Sequence, residues 1–426
     1  MTLFADLLST VFERRHVLGP ILRRDPRPTE ALTAELAAAV SDTAGLATAT
    51  RILQRYAEMT DAAKLAFFRH LAGEMNLDPA ALRAALDAYE ADPSGRTYRA
   101  FMTASEPPRQ ELIRRLNQVP GATGLLVGMR ADLLRLGREE PALQALDLDF
   151  RHLFRSWFNR GFLVLRPISW ESPAHILEKI IAYEAVHAIR SWEDLRRRLA
   201  PPDRRCFAFF HPAMPDEPLI FVEVALMKGV PSSIRAVLDE DRTSLPPAEA
   251  DTAVFYSISN CQPGLASISF GNSLIKQVAS DLSMAFPGLK TFVTLSPIPG
   301  LMRWLEAGKV IWDGSDAKRM QSLAAHYLLS AKRPDGTPVD PVARFHLGNG
   351  ALVHAVHAGA DTSENGLRQS GGAMVNYLYD LARVGQYHDR FAAKGEVIAT
   401  SSVKSLAATA EKTLPRKEPE HDQPAI

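Results

Sequence analysis

The hydrophobic pattern changes period partway along the chain, and that change limits what the chain can fold into. Up to about residue 155 the apolar residues recur every three or four positions. Leu82, Ala85, Leu86 and Tyr89 follow an i, i+3, i+4, i+7 stripe behind Asp78-Pro79, a capping residue and a proline suited to the first helical turn. Leu65, Phe68, Ala72 and Met75 make a similar stripe after Thr60, another candidate cap, and Leu112, Ile113 and Leu116 follow Glu106-Pro107-Pro108. Isolated helices of this length are marginal in water, so these stripes need one another for burial. Residues 1–155 therefore read as a helical bundle. Nothing in it clusters chemically, which points to an interaction or oligomerisation domain.

From Gly161-Phe-Leu-Val-Leu165 the character shifts. Ser172-Pro173 and Ser191-Trp-Glu-Asp194 look like helix starts, the second a capping-box pattern with Asp in place of Glu. Short β-rich runs follow at Cys206–Phe210, Leu219–Leu226, Val254–Ile258 and Thr291–Leu295. His211–Pro218 has turn chemistry and joins the first two runs as a hairpin, with His211 read as a turn residue. Asp239–Asp251 and Ala331–Asp340 are polar loops. Glu411–Ile426 mixes both signs of charge with three prolines and reads as a disordered tail. The expected class is α+β, with a helical bundle over 1–155, a second domain over 156–410 and a polar tail over 411–426.

Composition removes several functions. Lys+Arg and Asp+Glu both number 49, so there is no cationic surplus of the kind bulk nucleic-acid binding uses. Two cysteines, Cys206 and Cys261, exclude a disulfide scaffold and a four-cysteine zinc site, and a reducing cytoplasm is the expected compartment. No apolar run is long enough for a membrane span, the first residues do not read as a signal peptide, and the last three are not a peroxisomal address.

The chemistry concentrates in residues 254–300, which read as strand, loop, helix, strand. The loop runs from Asn260 to Gly271. Asn272 and Ser273 stand where they could cap the next helix, whose first amides suit a phosphate. There is no Walker motif and no G-x-G-x-x-G, so a plain loop is the competing reading. Ser296 opens a stiff Ser-Pro-Ile-Pro-Gly turn at a strand end, which either holds one hydroxyl in place or simply ends the strand. There is no G-x-S-x-G elbow. His346 lies in Val342–Gly350, read as a strand turning at Gly348-Asn349-Gly350; the ordinary role for such a histidine is structural. His354 and His357 face opposite sides of a strand, and no metal-ligand set is present. Arg196–Arg198 and Arg204-Arg205 read as a solvated basic face, and Cys206 and Cys261 as small core or loop residues.

Taken together, several stretches resemble the malonyl-CoA decarboxylase family. They are Phe255-Tyr-Ser-Ile-Ser259, Gln262-Pro-Gly-Leu265, Phe270–Val278, Phe286-Pro-Gly-Leu289, Leu295-Ser-Pro-Ile-Pro-Gly300 and Phe345-His-Leu-Gly-Asn-Gly-Ala351, with Ser191–Leu195 and Glu217-Pro-Leu219 in support. The resemblance spans about 155–405. It implies a helical amino-terminal domain followed by a catalytic domain of the acyl-CoA N-acyltransferase (GNAT-like) fold. It also implies decarboxylation of malonyl-CoA to acetyl-CoA and CO2 without metal or other cofactor, in a homo-oligomer, dimer or tetramer. The family's catalytic serine and histidine fall on Ser296 and His346, and a tyrosine near the site falls on Tyr379. The loop that holds CoA falls on Ala266, Ser267, Ile268, Ser269, Phe270, Gly271 and Asn272. Animal members carry a glutamate where this chain has Ser269, so no carboxylate role transfers there. With an ordinary histidine pKa of ~6.5, His346 is expected to donate the proton near neutral pH while Ser296 positions and polarises the thioester. The other readings are an acyl-CoA-dependent N-acyltransferase and a malonyl-CoA-binding protein without catalysis.

Overall fold

The computed structural model describes residues 25–39, 42–268, 274–312, 314 and 316–414. Among these, the first part of the chain folds into helices where its periodicity predicts them. Thr60 caps Asp61–Gly73 by accepting from the Ala63 amide, and Asp78 caps Pro79–Ala91 by accepting from Ala80 and Ala81. Phe68, Met75, Leu112, Ile113 and Leu116 are buried. The Pro79–Ala91 helix departs from expectation and buries none of its residues. Its stripe meets mainly the Gly95–Ala104 helix, where Tyr89 packs on Tyr98 and Phe101, so Leu82, Ala85 and Tyr89 reach only half-burial.

The later part holds an eight-stranded sheet: β1 (Val164–Ile168), β2 (Arg204–Phe210), β3 (Ile220–Met227), β4 (Thr252–Asn260), β5 (Thr291–Thr294), β6 (Ser296–Pro297), β7 (Leu352–His357) and β8 (Met374–Leu378). The order is β1-β2-β3-β4-β5-β8-β6, and β7 also pairs with β8. β4 and β5 are parallel from Thr252↔Thr291 to Phe255↔Thr294, where their register ends although β4 continues to Asn260. β8 runs antiparallel to both β5 (Val293↔Leu378) and β6 (Ser296↔Val375). Side chains alternate across a strand. Val293 and Leu295 therefore point with Val254 and Met374 into one apolar cluster, and Thr294, Ser296, Tyr377 and Tyr379 take the opposite face. That face carries the candidate site.

Three expectations are corrected. The 342–350 run is the Pro341–Gly348 helix, not a strand; Asp340 at the cap and Pro341 at the first turn start a helix that short apolar periodicity cannot distinguish from a strand. Arg198 and Arg204 are not on a solvated face. Arg198 is buried against Asp194 (3.2 Å) and Glu223 (3.3 Å), and Arg204 is buried with a guanidinium N–H on the Val237 carbonyl. The tail begins later than 411, because Ser401–Thr413 is a helix with Val403, Ala407 and Ala410 buried; residues 415–426 lie outside the described residues.

The chain divides into two compact units. One takes the described residues of 1–164, 209–219 and 260–270, the other those of 165–208, 220–259 and 271–426. Two segments that follow sheet strands thus group with the helices. Among the described residues no helix is long and apolar enough to cross a membrane.

Candidate active site

Ser296, the first residue of β6, leaves the strand on a turn stiffened by Pro297 and Pro299, closed by the Leu301 amide on the Ile298 carbonyl (3.1 Å). His346 comes from the Pro341–Gly348 helix and Tyr379 from the residue after β8. Although 50 positions separate them, Ser296 Oγ lies 3.1 Å from His346 Nε2, and Tyr379 Oη lies 2.8 Å from His346 Nδ1. The Ser296 hydroxyl donates to Thr294 Oγ1 at 2.9 Å, and Thr294 Oγ1 also accepts from the Tyr377 amide at 3.1 Å.

These bonds have a direction. A serine hydroxyl has one proton, and here Thr294 receives it. Ser296 Oγ then accepts from His346 Nε2–H, which leaves Nδ1 to accept from the Tyr379 hydroxyl. The order Tyr379→His346→Ser296→Thr294 assigns the neutral Nε2–H tautomer. Burial agrees: His346 is 2% exposed and desolvation pushes its pKa down to about 3. The expectation of an ordinary histidine pKa is thereby corrected. The ring stacks on Tyr377, with centroids 4.6 Å apart, and Phe255 meets the Tyr379 ring edge to face at 6.3 Å. Burial holds the Tyr377 and Tyr379 hydroxyls well above the usual phenol range.

Of the loop residues expected to hold CoA, Ala266, Ser267 and Ile268 are described; Ser269, Phe270, Gly271 and Asn272 lie outside the described residues, as does Ser273. Ala266 and Ser267 are exposed, and Ser267 has a left-handed φ of 64°. The segment before them is fastened to the Ala122–Leu136 helix. Buried Arg130 donates through Nη1 to the carbonyls of Gly264 (2.7 Å) and Ala266 (2.9 Å), and through Nε to Asp147 (2.8 Å). Gly264 lies so close to that helix that a Cβ would stand 1.9 Å from the Val127 carbonyl oxygen.

Other sequence candidates fall elsewhere. His211 is a turn residue whose Nδ1 accepts from the Ala213 amide. His357 meets Asn376, and Cys206 and Cys261 are buried. A cavity of about 500 Å³ lined by Lys290, His354, Phe292 and Tyr379 was not foreseen. Sequence reasoning also missed Thr294 and Asp340. Thr294 was detectable two positions before Ser296, on the same strand face; Asp340-Pro341 carried the same helix-start signal as Asp78-Pro79.

Comparison with known proteins followed the same lines. The model of the malonyl-CoA decarboxylase C-terminal domain matches residues 161–314 and 313–417, and that of the N-terminal domain matches 75–158. The mitochondrial malonyl-CoA decarboxylase of Rattus norvegicus is 32% identical over 357 residues, 71% of each chain. Two crystal structures of malonyl-CoA decarboxylases superpose closely. The one from Agrobacterium vitis has a TM-score of 0.84 at 48% identity, covering 89% of this chain and 99% of that one. The one from Rhodopseudomonas palustris has a TM-score of 0.83 at 47% identity, covering 88% and 98%.

Proposed function

The chain belongs to the malonyl-CoA decarboxylase family, and from that premise we propose that it converts malonyl-CoA to acetyl-CoA and CO2, with Ser296 polarising the malonyl group and His346 giving the proton. The observation that carries the assignment of roles is the buried 3.1 Å contact between Ser296 Oγ and His346 Nε2, formed by groups remote in sequence.

Breaking the bond to the carboxylate leaves its electron pair on the α-carbon, delocalised onto the thioester oxygen as an enolate. Donors aimed where that charge develops lower the barrier. The Ser296 hydroxyl, held by β6 and a stiff turn, becomes one such donor when its proton turns from Thr294 to the substrate. His346 is neutral while no opposite charge is near it. Malonyl-CoA brings a carboxylate, and a negative charge within ~4–6 Å favours the imidazolium. The ring therefore takes a proton from solvent as substrate enters. CO2 leaves as a neutral molecule, the enolate retains the charge, and the Nε2 proton passes to the α-carbon. Acetyl-CoA and a neutral imidazole result, with one solvent proton consumed per turnover. The Tyr379 hydroxyl serves both states of the ring, donating to Nδ1 when it is bare and accepting from Nδ1–H when it is protonated. The Ala266–Asn272 loop takes the pantetheine and diphosphate in this reading.

The test uses malonyl-CoA without any acyl acceptor and follows CO2 release. Ser296→Ala and His346→Asn should each lower kcat by about 10²–10⁴-fold, the usual worth of a general acid. Near-wild-type kcat in both variants would refute the roles, and a requirement for an amine acceptor would favour a transferase.

A further inference from the structure

Asp340 sits between the two halves of the catalytic pair. Its side chain is almost wholly buried, with the residue 1% exposed. Oδ1 accepts from the Ala343 amide at 2.9 Å and caps the helix that carries His346. Oδ2 accepts from the Gly300 amide at 3.4 Å, at the end of the Ser296-Pro-Ile-Pro-Gly turn. The other aspartate caps among the described residues are built differently. Asp78 and Asp316 are exposed, and each uses one oxygen on two successive amides of its own helix. A cap alone does not require burial, and burying a carboxylate is costly. Burial holds the Asp340 carboxyl above its usual range.

Gly300 also lies close against Tyr327. A Cβ there would stand 2.1 Å from the Tyr327 hydroxyl and 3.6 Å from Asp340 Oδ2. The turn that bears Ser296 thus packs closely on a phenol and is tied to a carboxylate, and the same carboxylate fixes the start of the His346 helix.

We propose that Asp340 is a positioning residue for decarboxylation: by bridging the Gly300 amide and the Ala343 amide it sets the separation between the Ser296 hydroxyl and the His346 imidazole. This rests on the reading of Ser296 and His346 as the catalytic pair. Asp340 acts through that pair and does not touch the reacting atoms.

Asp340→Ala should lower kcat by about 10–100-fold with KM held within about threefold, because a misplacement near 1 Å costs on the order of 10²-fold. Asp340→Asn keeps one acceptor oxygen for the cap but turns an N–H toward the Gly300 amide, so it should recover stability and little of the rate. The decisive comparison is made in the Ser296→Ala background. If Asp340 works through Ser296, adding Asp340→Ala there should cost under about threefold, since residues that act as a unit are strongly non-additive. A full additional loss would mark a general structural role and overturn the proposal. So would an Asp340→Ala enzyme with wild-type kcat, or one that loses KM alone. Should Asp340→Ala fail to fold, Gly300→Ala tests the other end of the bridge. It should lower kcat, and Tyr327→Phe added to it should restore activity by removing the oxygen the new methyl meets. A fully active Gly300→Ala, or one that Tyr327→Phe does not rescue, would also overturn the bridge. A fully active Ser296→Ala would overturn the catalytic reading and this one with it. Inactive Ser296→Ala beside active Asp340→Ala and Gly300→Ala would overturn the bridge alone.

Discussion

Ser296 and Gly264 both stand just past a strand of one sheet, yet the chain fixes them by different means. Ser296 is fixed by strand register. β6 pairs with β8, Thr294 takes the Tyr377 amide, and the Asn376 side chain donates to the Thr294 carbonyl at 2.8 Å. The atoms that would react are placed by backbone ladders and by hydrogen bonds between neighbouring strands. Gly264 is fixed by one long side chain, Arg130, from 134 positions earlier. A register error moves a side chain to the opposite face of the sheet, whereas a lost side-chain anchor only loosens a segment. The first region should govern the rate of the chemical step. The second should govern how well the thioester is held.

The hydroxyl of Tyr379 tests the rate side most severely. It bonds His346 Nδ1 at 2.8 Å, whereas the Tyr377 ring only stacks. A hydrogen bond to a charged group is worth ~1.5–3 kcal/mol, so Tyr379→Phe should lower kcat about 10–150-fold with little change in KM. A Tyr379→Phe enzyme with unaltered kcat in steady-state CO2 release would show that stacking on Tyr377 suffices to orient the ring.

This contrast also explains which parts were legible in the sequence. Ser296 was readable because two prolines and a glycine announce a stiff turn. The helix before it and the strands at 254–258 and 291–295 were readable from periodicity. The helical state of 341–348 was not, because eight residues of mixed apolar character fit either period, and only Asp340-Pro341 breaks the tie. The charge state of His346 was not legible either. Its pKa depends on the rings of Tyr377 and Tyr379 closing over it, and those residues lie 31 and 33 positions away in the chain. Arg130 looked like one more polar residue on a helix, since nothing in a helix sequence marks a carbonyl that arrives from elsewhere.

The proton taken up with substrate is the next largest effect. His346 sits near 3 without a neighbouring charge, and the malonyl carboxylate should raise it. Between the free and bound pKa values the complex holds one more proton than its parts, so binding must weaken as pH rises, by up to about tenfold per unit. Calorimetry of a malonyl-CoA analogue that keeps its carboxylate but cannot lose it, run in two buffers of different protonation enthalpy, should give a proton uptake that grows as pH is lowered toward the pKa of the bound ring. His346→Asn should abolish the uptake. A proton-neutral association in the wild-type enzyme would mean that the ring stays neutral throughout and that the enolate is protonated from another source.

The smallest expected effect falls on the other region. Arg130 reaches two carbonyls and a carboxylate at once, which suits a planar guanidinium and not an ammonium. Arg130→Lys keeps the charge and much of the stem, so it should preserve the buried pairing with Asp147 better than any neutral replacement. It cannot span Gly264 and Ala266 together. If the segment after Ala266 carries CoA, Arg130→Lys should raise KM for malonyl-CoA about 3–10-fold and leave kcat within about twofold, the signature of lost uniform binding. Inhibition by free CoA should weaken in parallel, because CoA shares the pantetheine and diphosphate but not the acyl end. A fall in kcat with KM unchanged would place Arg130 with Ser296 and His346, and the separation of rate from affinity between the two regions would not survive it.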